Sequence, residues 1–99
     1  KIIPTNEIEC FYSENKSTYI QSQSNRKYLI DHSLEYWQDQ LDPEFFFRVS
    51  RTFIIHVSAI NDIVAYTNSR LRLVLKSFSD SEIIVSRERV KEFKNWINR

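Results

Sequence analysis

Apolar and polar residues alternate along much of this chain, which is the pattern of half-buried β-strands. The alternation is clearest in residues 70–76, where Leu71, Leu73 and Leu75 share one side. The residues on the other side are mostly basic, so we expect a solvated, cationic face there. They are Arg70, Arg72, Val74 and Lys76. Similar patterns predict further strands at residues 7–13, 18–22, 27–31, 60–67 and 82–85.

The turns between these strands contain no glycine, because the chain has none. Asn, Ser and Asp must therefore supply the left-handed backbone conformations that tight turns need. The best hairpin turns are Ser24-Asn25-Arg26 and Thr67-Asn68-Ser69, since each lies between two predicted strands.

Two segments instead follow the helical period of about 3.6 residues. One lies near residues 33–41 and follows Ser33, and the other lies near residues 87–98 and follows Ser86. Either serine can cap a helix by accepting a backbone N–H bond. The apolar stripes are Leu34, Trp37 and Leu41 in the first helix, and Val90, Phe93 and Ile97, with Trp96 alongside, in the second.

The second predicted helix opens with Arg87 and Arg89, two cations at the end that the helix dipole makes positive. Free N–H groups at a helix start attract anions, so a bound phosphate would offset the repulsion between these arginines and the helix dipole. A plain solvated helix start is the alternative.

The segment Phe45–His56 combines core residues with basic and hydroxyl residues. Its apolar members are predicted to be buried; they are Phe45, Phe46, Phe47, Phe53, Ile54 and Ile55. Arg48 and Arg51 lie among them, where a purely structural segment would not need them. With Ser86–Arg89, this indicates a compact scaffold that presents guanidinium groups on loops, as nucleic-acid-binding proteins do.

The length of 99 residues predicts one domain, residues 1–99. The chain begins with Lys1 rather than methionine, so we expect it to be part of a longer protein. No run predicts a membrane span, and no signal peptide is visible. The single cysteine, Cys10, cannot form an internal disulfide, which agrees with a reducing, cytoplasmic location. We expect a buried thiol that shares one strand face with Ile8 and Tyr12.

The net charge of +1 argues against a nucleic-acid partner, but its distribution matters more. Residues 31–44 contain five acids and no Lys or Arg, which leaves 14 basic and 8 acidic residues, a net +6, in the rest of the chain. One face could therefore be acidic and another basic. Ordinary surface scatter is the equally open alternative.

Neither metal binding nor catalysis is indicated. His32 and His56 are far apart and have no cysteine or carboxylate pattern around them, so we expect no metal and no cofactor. Ser50, His56 and Asp62 could be imagined as a hydrolase triad. The absence of glycine removes the usual tight nucleophile turn, so we expect no enzyme.

Three blocks of the chain carry a resemblance to a known family. They are Glu7-Ile8-Glu9-Cys10-Phe11-Tyr12-Ser13-Glu14, Phe46-Phe47-Arg48-Val49-Ser50-Arg51-Thr52-Phe53-Ile54-Ile55-His56, and Ile84-Val85-Ser86-Arg87. In this order and spacing the chain resembles the LytTR DNA-binding domain of bacterial response regulators. The resemblance covers nearly the whole chain, and the middle block is its most specific part.

The resemblance implies a mainly antiparallel β fold with short helices. It also implies sequence-specific binding of double-stranded promoter DNA, through loops that enter the major groove at tandem repeats. Such a domain would be the output domain of a two-component response regulator, preceded by a receiver domain and able to dimerise on DNA.

Site residues follow from the resemblance position by position. The expected DNA-binding residues are Lys16, Ser17 and Thr18 in the first contact region, Arg48, Ser50 and Arg51 in the second, and Ser86, Arg87 and Arg89 in the third. Thr18 and Arg51 fall on base-reading positions. His56 and Glu88 depart from the family pattern, which has Asn and a basic or polar residue there.

Structural alternatives remain for these arginines. Arg51 could instead pair with an acid such as Asp62 or Glu44, and Arg48 could point back along the sheet. At the level of function, the alternative is a protein-interaction module that uses the acidic segment 31–44. A binder of RNA or single-stranded DNA is a third possibility.

Overall fold

The computed structural model describes residues 3–99, in which eight strands form two antiparallel sheets accompanied by short helices. This confirms the mainly β fold class. The strands are β1 (Ile8–Glu14), β2 (Ser17–Ser22), β3 (Lys27–Ile30), β4 (Phe46–Arg48), β5 (Phe53–His56), β6 (Ile60–Tyr66), β7 (Arg70–Leu75) and β8 (Ile83–Val85). The α-helices are α1 (Leu34–Gln40) and α2 (Val90–Ile97), and single 3-10 turns span Thr5–Glu7, Val57–Ala59 and Arg87–Arg89.

The larger sheet has the strand order β3-β2-β1-β5-β4, and the smaller has β6-β7-β8. The main core joins one face of the larger sheet to the smaller sheet and α2. A second core covers the other face of the larger sheet with α1. The central strands β1 and β5 are therefore buried on both faces.

The prediction that Ile8, Cys10 and Tyr12 share one face was wrong for Ile8. Cys10 and Tyr12 pack in the main core, whereas Ile8 packs in the second core. The β1–β2 register shifts between Ile8 and Cys10, which is a β-bulge. A bulge adds one residue to its strand, so the side chains before it change face.

The helices confirm both predicted stripes. Ser33 caps α1, since its hydroxyl accepts the Tyr36 N–H at 3.3 Å. Ser86 does not cap in this way, so that prediction was wrong. Its hydroxyl instead donates to the Val49 carbonyl at 3.3 Å, and a 3-10 turn comes before α2.

Asn residues do supply left-handed turns, with φ of 64° at Asn25 and 58° at Asn68. The β1–β2 turn uses Asn15 and Lys16, at 52° and 66°, so Ser17 and Thr18 already belong to a strand. One predicted core residue was wrong: Phe45 precedes β4 and is 43% exposed, and its ring stacks on the buried His56.

Candidate nucleic-acid interface

Arg51 lines two open grooves, and it shares each of them with residues of another predicted contact region. The first groove, of about 600 Å³, runs between Arg51 and the Lys16–Thr18 region. The second, of about 770 Å³, runs between Arg51 and the Ser86–Glu88 region. Residues distant in sequence therefore lie side by side, with Arg51 at the centre.

Sheet pairing and backbone hydrogen bonds produce this arrangement. β1 pairs with β5, and the Ser13 N–H donates to the Thr52 carbonyl at 3.0 Å, which places the β1–β2 turn beside Arg51. The Ser86 N–H donates to the Val49 carbonyl at 3.0 Å, which joins the third region to the second. All three regions thus form one connected surface.

Three exposed cations on this surface have no internal partner among residues 3–99. Lys16, Arg51 and Arg87 are exposed, and their side chains make no hydrogen bond or ion pair with a described residue. The alternative pairing of Arg51 with Asp62 or Glu44 is not observed. These charges are therefore available to an external anion.

Arg48 behaves in the opposite way, because its guanidinium is buried and makes four hydrogen bonds within the domain. Nε donates to the Ser50 carbonyl at 2.9 Å, and Nη2 donates to the Arg51 carbonyl at 2.7 Å. Nη1 and Nη2 also reach the Gln38 and Glu35 side chains, both at 3.1 Å. Arg48 thus ties the Ser50–Arg51 turn to α1.

The Arg48 contact also affects Glu35. A hydrogen bond from its own backbone N–H, and then the Arg48 guanidinium, lower the pKa of the Glu35 carboxyl below its usual value. The carboxylate is therefore held in its charged form, which favours the ion pair with Arg48.

The remaining predicted residues differ in accessibility. Ser17, Ser50 and Ser86 are half-buried, and the Ser50 hydroxyl accepts the Thr52 N–H at 3.2 Å. Thr18 is buried within β2. Arg89 donates to the Arg48 carbonyl at 3.2 Å and lines a separate cavity beside α2. Arg89 therefore lies away from the face on which Arg51 and Arg87 meet.

Lys16 sits in an unfavourable backbone conformation. Its φ of 66° is left-handed, and a side chain with a Cβ atom costs about 1–2 kcal/mol there. Glycine would fit this turn position without that cost. The turn instead carries a long cation at the rim of the first groove.

His56 has a local structural role that accounts for its departure from the family pattern. Its Nδ1 accepts the Ser58 N–H at 3.0 Å and so caps the Val57–Ala59 turn. Burial lowers the pKa of His56, which favours the neutral ring that can accept this bond. An Asn side-chain oxygen can accept the same kind of bond.

The second groove also includes residues that were not predicted as contacts, among them two polar residues at the β6–β7 hairpin. Asn68, from the β6–β7 turn, and Arg70, at the start of β7, line it with Arg51 and Arg87. The sequence indicated only a solvated strand face for Arg70. No local signal could have identified the pair, because the packing of one sheet on the other brings this turn to the groove.

Other chemistry has little support among residues 3–99. These residues contain no group of His, Cys, Asp or Glu that could hold a metal ion. Burial raises the pKa of the Cys10 thiol, which disfavours the reactive thiolate. No helix in this range is long and apolar enough to span a membrane.

By fold, the chain is an antiparallel β domain in which the exposed cations Lys16, Arg51 and Arg87 lie on segments that connect its elements. A family model, the LytTr DNA-binding domain, matches residues 1–98. The chain therefore belongs to the LytTR DNA-binding domain family. This membership identifies a DNA-binding domain and points away from an enzyme.

Individual proteins agree with this assignment. The chain is 30% identical over 97 residues to the transcriptional regulatory protein YpdB of Escherichia coli K12, and equally to YpdB of Shigella flexneri. The match covers 98% of this chain but only 39% of the length of each relative. The LytTr DNA-binding domain of a Bacillus cereus protein, described as a methyl-accepting/DNA response regulator, superimposes with a TM-score of 0.86. That match covers 98% of this chain and 86% of the other at 22% identity, so it shows the fold.

Proposed function

We propose that this domain binds double-stranded DNA in a sequence-specific way, through connecting segments that enter the major groove. The observation that carries the proposal is that Arg51 lines one groove with Lys16 and another with Arg87, and that all three cations are exposed and have no internal partner among residues 3–99. Unpaired cations are costly to crowd together unless an anion joins them, and a phosphate backbone is such an anion.

Arg51 is assigned the base-reading role because it is the residue shared by both grooves. A free guanidinium can donate two parallel bonds to guanine O6 and N7, worth about 1–3 kcal/mol of discrimination. Lys16 and Arg87, on either side, are assigned to phosphates, which position the protein without reading sequence. The strained backbone at Lys16 supports its assignment, since such strain tends to persist where function requires it.

The other predicted contact residues are assigned mainly to positioning. Arg48 holds the two carbonyls of the turn that carries Arg51. Ser86 and Arg89 donate to the carbonyls of Val49 and Arg48, which holds the third region against the second. Half-buried Ser17 and Ser50 keep hydroxyls near the surface and can add phosphate bonds.

The wider biological role is part of the same proposal. Because the relatives YpdB are transcriptional regulatory proteins, we infer that this domain is the cytoplasmic output domain of a two-component response regulator. A receiver domain would control it, and promoter repeats about one helical turn apart would bind two copies.

The test is selection of duplexes from a random library with the 99-residue chain, followed by affinity measurements over a salt titration. We expect selected duplexes to bind at least about 10³-fold more tightly than composition-matched scrambles. Affinity should fall steeply with salt as counterions are released. Preferential binding of single-stranded DNA or RNA would contradict the proposal. So would an absence of duplex binding at low salt combined with tight binding of a protein to the acidic segment 31–44.

A further inference from the structure

The β6–β7 turn lies on the same surface as the predicted DNA contacts. Asn68 of this turn and Arg70, the first residue of β7, line the second groove together with Arg51 and Arg87. Three arginines and a single acid, Glu88, therefore share this groove. Its charge balance favours an anion, and none of the predicted contact regions includes the turn.

The Arg70 side chain is held in place by its own turn. Its Nε donates to the Thr67 carbonyl and its Nη2 to the Thr67 hydroxyl, both at 3.1 Å. The guanidinium also lies 5.1 Å from the ring centroid of Tyr66, within the range of a cation–π contact. A strand-face arginine that served only solubility would not need three such contacts.

These contacts leave most of the hydrogen-bonding capacity of Arg70 unused. A guanidinium has five N–H donors, and the two bonds to Thr67 use two of them. The others have no described acceptor. Because the side chain is already ordered, it loses less conformational entropy when it binds a ligand.

We propose that the β6–β7 turn is a fourth DNA-contacting element, in which Arg70 and Asn68 bind the sugar–phosphate backbone next to the bases read by Arg51. This inference rests on the proposed function and deepens it. The contact is independent of sequence, because the turn presents donors to phosphate oxygens. It would fix how far Arg51 and Arg87 enter the major groove.

The chain offers a matched control in the β2–β3 hairpin. Arg26 follows the left-handed Asn25 in the β2–β3 turn and is exposed. It lines neither groove. Arg26→Gln therefore removes the same charge from the same kind of turn, but on a different part of the surface.

The experiment measures the affinity of Arg70→Gln and Arg26→Gln for a selected duplex and its scramble over a salt titration. We expect Arg70→Gln to weaken binding to both duplexes by a similar factor, roughly threefold to tenfold. The slope of log affinity against log salt should become shallower by about one. Arg26→Gln should keep the affinity and slope of the unmodified chain.

A second variant guards against a folding defect in the first. Asn68→Asp tolerates the left-handed backbone and places a negative charge in the groove, so it should also weaken binding to both duplexes. Unchanged affinity in this variant and in Arg70→Gln, with discrimination still lost in Arg51→Ala, would overturn the fourth contact and leave the proposed function standing. A chain that binds no duplex at all would overturn both.

Discussion

The two grooves that meet at Arg51 differ in how their charges are used. The first contains Lys16, Arg48 and Arg51, but also the acids Asp31 and Glu35, and Glu35 forms an ion pair with Arg48. The second contains three arginines and a single acid. Because the ion pair leaves two cations and Asp31 in the first groove, we expect the second groove to hold most of the phosphate contacts.

Arg48 and Arg51, three residues apart, show that neighbouring elements decide whether an arginine is available to a ligand. Arg48 lies beside α1, and its guanidinium makes four hydrogen bonds within the domain. Arg51 lies past the end of the strand and has no side-chain partner among residues 3–99. The same side chain therefore stabilises the turn in one case and is presented to a ligand in the other.

The largest effect is expected from Arg48→Ala. It leaves the carbonyls of Ser50 and Arg51 without their buried donor, which costs on the order of 2–4 kcal/mol of stability. Thermal or urea unfolding measures this loss. Arg48→Lys should recover little of this stability, since an ammonium group cannot reproduce the planar set of donors of a guanidinium. Full stability in Arg48→Ala would remove the distinction between the two arginines.

Arg51→Ala should have the reverse profile. We expect a loss of about 1–3 kcal/mol in discrimination between the selected duplex and its scramble, because the bidentate base contact is removed. The melting temperature should stay nearly unchanged. Arg72→Ala, on the outer face of β7, serves as the charge-matched control. If the Arg51 variant keeps full discrimination, its base-reading role is wrong.

Lys16→Gly should move stability and binding in opposite directions. Glycine relieves the left-handed strain but increases the freedom of the unfolded chain, so the net gain is up to about 1 kcal/mol. Duplex affinity should fall roughly threefold to tenfold through the loss of one phosphate contact. Lys94→Ala is the control for the loss of one positive charge. Alanine is used there because Lys94 lies in α2, where glycine would destabilise the helix. A fall in both stability and affinity would contradict the claim that the backbone at Lys16 is strained.

Asp31→Asn tests the charge difference between the grooves. Removing this negative charge should tighten binding to scrambled duplex by about twofold to fivefold at low salt, because a repulsion at an exposed site is worth about 0.3–1 kcal/mol. The gain should shrink as salt rises. Asp62→Asn, on β6 and outside both grooves, is the matched control.

The smallest effect concerns Glu35 and acid stability. Its pKa is lower in the folded state, so its contribution is present above the unfolded pKa and is lost as pH falls through the folded value. Glu35→Gln should therefore flatten the acid limb of the stability curve slightly. An unchanged limb in urea titrations would mean that the ion pair with Arg48 contributes nothing.

Local pattern was sufficient for much of the fold. The alternation at Leu71, Leu73 and Leu75 correctly predicted a half-buried strand, and Ser33 correctly predicted a cap. The bulge that moves Ile8 to the other face depends on how β1 pairs with β2, which no periodicity within β1 reveals.

The site was predictable only in part. The sequence identified arginines inside a core segment, but it could not separate Arg48 from Arg51, because α1 supplies the partners that distinguish them. Asn68 and Arg70 were missed for a similar reason, since the packing of the two sheets brings their turn to the second groove.

The most direct measurement is an NMR titration of the isotope-labelled chain with a selected duplex. We predict the largest backbone amide changes at Lys16, Arg51, Asn68 and Arg87, with little change at Arg26. Changes concentrated on α2, or spread over residues outside the two grooves, would contradict a cationic surface centred on Arg51.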